Sequence, residues 1–209
     1  MSGFYSVALR VEGRRCVVIG GGKVAERRIA GLLEASARVT VISPQLSAAL
    51  QSLVATGDLN WISRDYDTGD LDDTFLAVAA TDDVSVNRAV VAEAKEKGAL
   101  CNSATDPRLS DFHLPAILRR GGVVVSVSTT GSSPVMARWL RDALARYVSP
   151  VHGELADLLA KYQIALKERY PEVDERSRKI RQLIEETLFL SLQEGHRQAA
   201  EEAIQQCIS

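Results

Sequence analysis

No apolar run in this chain approaches the roughly 18 residues that a spanning helix needs, so no helical membrane segment is expected. An excess of one charge is missing too. The chain has 25 Lys and Arg against 27 Asp and Glu, without the cationic surplus of a general nucleic-acid binder. Cysteine is scarce: Cys16, Cys101 and Cys207 form no C-x-x-C pair, and no structural zinc or other metal site is expected. The opening stretch MSGFYSVALRVEGRR lacks a continuous apolar core and a small-residue cleavage site. The expected location is therefore cytoplasmic.

What is present begins with CVVIG, residues 16–20, running into GGGKVAERRIAGLLEA, residues 20–35. The apolar, β-rich run suits a buried parallel strand, and Val24, Ile29, Leu32 and Leu33 recur at helical spacing. Between them Gly20, Gly22 and Ala25 fit G-x-G-x-x-A. In a dinucleotide fold the first position permits a tight turn, the second lets the backbone approach a pyrophosphate, and the small third allows close helix packing. Free N–H groups at the start of such a helix suit an anion. Taken alone, the glycines are also compatible with a plain turn.

The pattern then repeats. ARVTVIS (37–43) and FLAVAAT (75–81) read as strands and LNWISRDY as a shorter one, while VNRAVVAEAKEKG reads as an amphipathic helix stopped at Gly98 before the strand ALCNS. Alternating strands and helices predict an α/β fold, a Rossmann-like doubly wound parallel sheet over residues 1–113. Ligands of such sheets lie beyond the carboxyl ends of the strands. Here those ends are Gly20 to Val24, Ser43 to Gln45, Ala80 to Asp83 and Asn102 to Asp106, with Gly20, Gly22, Lys23, Val24, Ser43, Pro44, Gln45, Ala80, Thr81 and Asp82 the cofactor-binding candidates. No Asp or Glu follows the second strand to meet ribose hydroxyls, and no Arg or Lys stands there for a 2′-phosphate, which favours NAD over NADP.

After residue 113 the character changes. LPAILRRGG leads into the alternating VVVSVST, then TGSSP and the amphipathic VMARWLRDALARYV, with Ser133 as N-cap and Pro134 at the first helical position. Residues 114–150 carry five arginines, Arg138 among them, against one acid, a local excess able to hold a polyanion or to serve as a solvated or subunit-contact face. Ser128 and Thr129 precede the helix, where they could bind a carboxylate or simply cap it. Residues 151–209 read as a helical domain broken near Pro171.

Together, CVVIGGGKVAERRIAGLLEASARVTVISP, FLAVAATDDVSVNRAV, CNSATDPRLSDFHLPAILRRG and VSVSTTGSSPVMARWLRDAL resemble the precorrin-2 dehydrogenase and sirohydrochlorin ferrochelatase family, which includes the amino-terminal module of siroheme synthase. The resemblance implies NAD-dependent oxidation of precorrin-2 to sirohydrochlorin, ferrous iron insertion in some members, and a homodimer. It also implies an NAD-binding domain (1–113), a small α+β dimerisation and substrate domain (114–150) and a helical carboxyl-terminal domain (151–209). Precorrin-2 carries many carboxylates, which suits the arginines and places Ser128, Thr129 and Arg138 as substrate-binding residues. Family members carry an aspartate three residues after the Asn of an N-x-x-D segment. Here Thr105 stands in that place and the carboxylate, Asp106, comes one residue later. Asp106, Thr105 and His113 are the catalytic candidates, with Asp106 either a general base or a turn cap. Two other readings stay open: a redox-inactive dinucleotide sensor on the same fold, and a chelatase without the redox step.

Overall fold

A computed structural model describes residues 3–209 and divides them into two compact units, one ending at Leu114 and one beginning at Pro115. In the first unit β1 (Arg15–Ile19), β2 (Arg38–Ile42), β3 (Asn60–Ile62), β4 (Leu76–Ala79) and β5 (Leu100–Ser103) form one wholly parallel sheet in the order β3-β2-β1-β4-β5. The unbroken apolar run of β1 is explained by its central place, because a parallel strand covered on both faces needs apolar side chains at every position. Cys16 and Val18 join Val39, Val41, Ala25 and Ile29 in one buried cluster, whereas Val17 and Ile19 join Ile42, Ala77, Val90 and Ala94 in the other.

Helix α1 (Lys23–Glu34) supplies Ala25 and Ile29 to the first layer. Helix α2 (Ala48–Ala55) starts at Ser47, whose hydroxyl accepts from the Leu50 N–H. Helix α3 (Val84–Lys97) supplies Val90 and Ala94 to the second layer. It begins at the Asp83 cap and ends at Gly98, as its sequence pattern predicts. The exposed edge of β5 is shielded by residues 110–112: the Ser110 hydroxyl accepts from the Ser103 N–H, and the Asp111 carboxylate accepts from the Cys101 N–H at 2.8 Å.

The sheet changes direction at β1, since β2 and β3 lie to one side and β4 and β5 to the other. That is the topological switch point, and the carboxyl ends of β1 and β4 flank it.

The second unit opens with an antiparallel hairpin of β6 (Ala116–Arg120) and β7 (Val123–Val127), registered through Leu118 and Val125. Next come α4 (Pro134–Leu144), α5 (Pro150–Lys161), α6 (Gln163–Arg169) and α7 (Val173–Leu183). Helix α7 continues through a π-helical turn at Ile184–Leu188 into α8 (Phe189–Gln193), and α9 (Arg197–Ile208) follows. Leu155, Leu158, Leu188, Leu192, Ala200 and Ile204 make its core. Helix α5 sits directly on the hairpin: a Cβ on Gly153 would collide with the Arg120 carbonyl, and the Gly122 N–H donates to Asp157 at 3.2 Å.

Candidate dinucleotide site

The turn from β1 into α1 is shaped by what its neighbours leave room for. Gly20 has φ +114°, and a side chain there would strike the Ala80 carbonyl on the neighbouring strand end. Gly21 is equally constrained, by the Gln45 carbonyl and by the Ser43 hydroxyl 2.9 Å from where its Cβ would stand. Gly22 is different. Nothing lies within 4 Å of its Cβ position, and it is the N-cap of α1 without a side chain to satisfy the first N–H groups. Open space before an uncapped helix start, with Ala25 fully buried one turn on, is what a pyrophosphate cradle requires. The residues present therefore fit a dinucleotide.

The remaining strand ends converge on the same edge of the sheet. Ser43 is buried and shapes the turn after β2: its hydroxyl donates to the Gln45 carbonyl at 2.8 Å, and its own carbonyl accepts from the Trp61 indole at 2.9 Å. Pro44 and Gln45 are exposed beside it, as are Lys23 and Asp82. After β4, Thr81 is held by Asn87 of α3, which is almost wholly buried. The Asn87 amide oxygen accepts from the Thr81 N–H and hydroxyl, and its NH₂ donates to the Thr81 carbonyl and to Thr105 Oγ1 at 3.2 Å. Asn87 thus ties the loop after β4 to the loop after β5.

Asp106 caps the short 3₁₀ turn Pro107–Leu109. Its carboxylate accepts from the Arg108 N–H and pairs with the Arg108 guanidinium at 2.9 Å. Those hydrogen bonds hold it below the usual carboxylate range. His113 lies over the Phe4 ring, centroids 4.4 Å apart, with Nε2 3.2 Å from the Pro107 carbonyl.

Ser128, Thr129 and Arg138 belong to the second unit. Thr129 Oγ1 accepts from the Ser133 N–H and Ser128 Oγ accepts from the Thr130 N–H, so both hydroxyls organise the loop before α4, while Arg138 is exposed on that helix. Two residues that shape the candidate site escaped the sequence reading, Asn87 and Glu26. Asn87 looks like an ordinary polar helix residue. Glu26, in the first turn of α1, accepts from the Ser47 hydroxyl at 2.9 Å, a pairing between residues too far apart in sequence to be read from periodicity.

Comparison with known proteins agrees with this geometry. A family model described as "Putative NAD(P)-binding" matches residues 7–116, and one described as "Sirohaem synthase dimerisation region" matches residues 152–208. The siroheme synthase of Thioalkalivibrio sulfidiphilus is 36% identical over 98% of this chain, and that of Chromobacterium violaceum 38% identical over 94%. The solved structure of "SirC, precorrin-2 dehydrogenase" superposes with a TM-score of 0.78 at 27% identity, covering 97% of this chain and 98% of that one. The chain belongs to the precorrin-2 dehydrogenase family.

Within that family its first unit is the NAD(P)-binding domain, since the matched residues span β1 to β5. The match described as a dimerisation region covers α5 to α9, whereas the sequence reading put dimerisation in residues 114–150. The chain spans 42% of the length of these two siroheme synthases. Among the described residues no helix is long and apolar enough to cross a membrane.

Proposed function

We propose that this chain is an NAD-dependent precorrin-2 dehydrogenase, oxidising precorrin-2 to sirohydrochlorin as a cytoplasmic homodimer in siroheme biosynthesis. The observation that carries this reading is the uncapped, open start of α1 at Gly22, within a chain that matches a precorrin-2 dehydrogenase structure over nearly its whole length. Bound NAD supplies a hydride acceptor. The backbone of Gly20 to Val24 holds the pyrophosphate, and the turns at Ser43 to Gln45 and Ala80 to Asp82 flank the nucleoside portions.

Loss of a hydride from the substrate must be matched by loss of a proton. Asp106 takes that role: its carboxylate stays ionised at neutral pH, the form that accepts a proton, and Thr105 beside it is fixed by Asn87 to meet the substrate. His113 is the second acceptor within the same segment. The arginines of the second unit, Arg138 included, with Ser128 and Thr129, hold substrate carboxylates. Residues 114–150 serve as the dimerisation and substrate segment and residues 151–209 as the helical one.

A chelatase-only reading is favoured by one observation, the engagement of Asp106 by Arg108 together with Thr105 in the family's aspartate position. Incubation with precorrin-2 and NAD, followed by sirohydrochlorin and ferrous iron, separates the readings. NADH formation in the first step supports the dehydrogenase. Metal insertion without it supports the chelatase.

A further inference from the structure

We propose that Glu26 selects NAD over NADP, performing from helix α1 the task that a carboxylate at the end of β2 performs in other dinucleotide folds. The inference rests on the dinucleotide site described above and is independent of the tetrapyrrole chemistry.

The end of β2 offers only Ser43, Pro44 and Gln45, with no carboxylate for ribose hydroxyls. A carboxylate nevertheless reaches this turn. The Ser47 N–H donates to the Gly21 carbonyl at 2.9 Å, which draws the start of α2 against the glycine turn. The Ser47 hydroxyl in turn donates to Glu26 Oε2 at 2.9 Å. Glu26, the glycine turn and the β2 end are therefore neighbours through two consecutive hydrogen bonds. Its side chain is 27% exposed, and Oε1 has no protein partner among the described residues. One oxygen is anchored and the other is free to accept from the ribose 2′- and 3′-hydroxyls, as a charge-assisted hydrogen bond.

The same charge discriminates. A 2′-phosphate brings further negative charge to the position that Glu26 serves, and like charges a few ångströms apart repel. Lys23, 88% exposed with Nζ 3.9 Å from Glu26 Oε2, is the nearby cation. Beside the carboxylate it presents no unopposed charge; with Glu26 neutral it would attract a phosphate. Both effects push the preference the same way.

A purely structural strut between α1 and α2 would explain the Ser47 contact equally, and the amide variant separates the two. Glu26→Gln keeps an acceptor for Ser47 and removes the charge. Titration calorimetry of wild type and Glu26→Gln with NAD and NADP, at one ionic strength, should show a wild-type preference for NAD. In the variant the NAD-to-NADP affinity ratio should fall about 10-fold or more, with an unchanged melting temperature, the scale of one lost charge-assisted contact. Glu26→Asp, which retains the charge, should keep most of the preference even if Glu26→Gln folds poorly. A wild type that binds both dinucleotides equally, or a Glu26→Gln ratio equal to that of wild type, overturns the assignment. A wild type that binds neither overturns the dinucleotide site itself and this inference with it.

Discussion

At Gly22 the backbone has φ −88° and the space beyond is open, so a side chain there costs the fold little and the ligand everything. Gly22→Asp should leave the circular dichroism spectrum intact and abolish NAD binding by calorimetry. Gly20→Ala should instead destabilise the fold, because φ +114° and the Ala80 carbonyl both oppose a Cβ. The glycine pattern was legible in the sequence; the division of labour within it was not, since packing against Ala80 and Gln45 comes from strands far along the chain. Asp106 shows the same limit. The residue was identifiable, yet its partner Arg108 fixes its behaviour. Asp106→Asn should lower the rate of precorrin-2 oxidation by roughly 10²-fold in stopped-flow assays with dinucleotide binding retained. The proposed base must be deprotonated to act, and Asp106 is held below the usual range. The acid limb of kcat/KM should therefore lie below the ordinary aspartate pKa of about 3.9. An acid limb well above that value would take the role away from Asp106.

Elements were legible where periodicity is long or burial two-sided, as in β1, α1 and α3. Helix α2 was missed because AALQSLVA is short and apolar without a clear stripe, and β6 because only its partner β7 alternates visibly. The link between β3 and β4 holds its shape through one buried carboxylate. Glu93 of α3 accepts from the N–H groups of Gly69 and Leu71, each at 3.0 Å, and from the Tyr66 hydroxyl, which burial and Glu93 push well above its ordinary pKa. Glu93→Ala strands those three donors and should cost about 3 kcal/mol or more in urea denaturation, at roughly 1–3 kcal/mol for each group left unpaired. Asp70, held low by the Arg64 hydrogen bond, and Asp83, held low by Ser85, make part of the stability pH-dependent. Their stabilisation is complete above the ordinary carboxylate range and is lost as pH falls through their depressed values. The melting temperature of Asp83→Asn should therefore lag wild type at pH 6 and converge with it as the pH falls through the depressed Asp83 value.

At the scale of the whole molecule, neither unit buries all of its large apolar side chains. Both leave apolar side chains exposed, Tyr5 and Val7 in the first, and Val135, Trp139 and Tyr147 on and after α4 in the second. Exposed aromatics of this kind belong to surfaces that associate. Light scattering should give a dimer mass that persists on dilution to the micromolar range; a constant monomer mass would count against the homodimer. The helical character of the tail was legible, but not the seating of α5 on the hairpin, which depends on Gly153 meeting Arg120.

The buried thiols give this molecule an internal gauge of opening. Cys16 on β1 and Cys101 on β5 are fully enclosed, and burial pushes them up to about 11 and about 12, so at neutral pH neither presents a thiolate. An alkylating reagent can mark them only in molecules whose sheet has come apart. Cys207, partly exposed in the second unit, is marked without that event and serves as the reference on the same chain. Mass spectrometry of the tagged protein thus counts openings of the first unit alone, and saturating NAD should slow the tagging of Cys16 and Cys101 while leaving Cys207 unchanged.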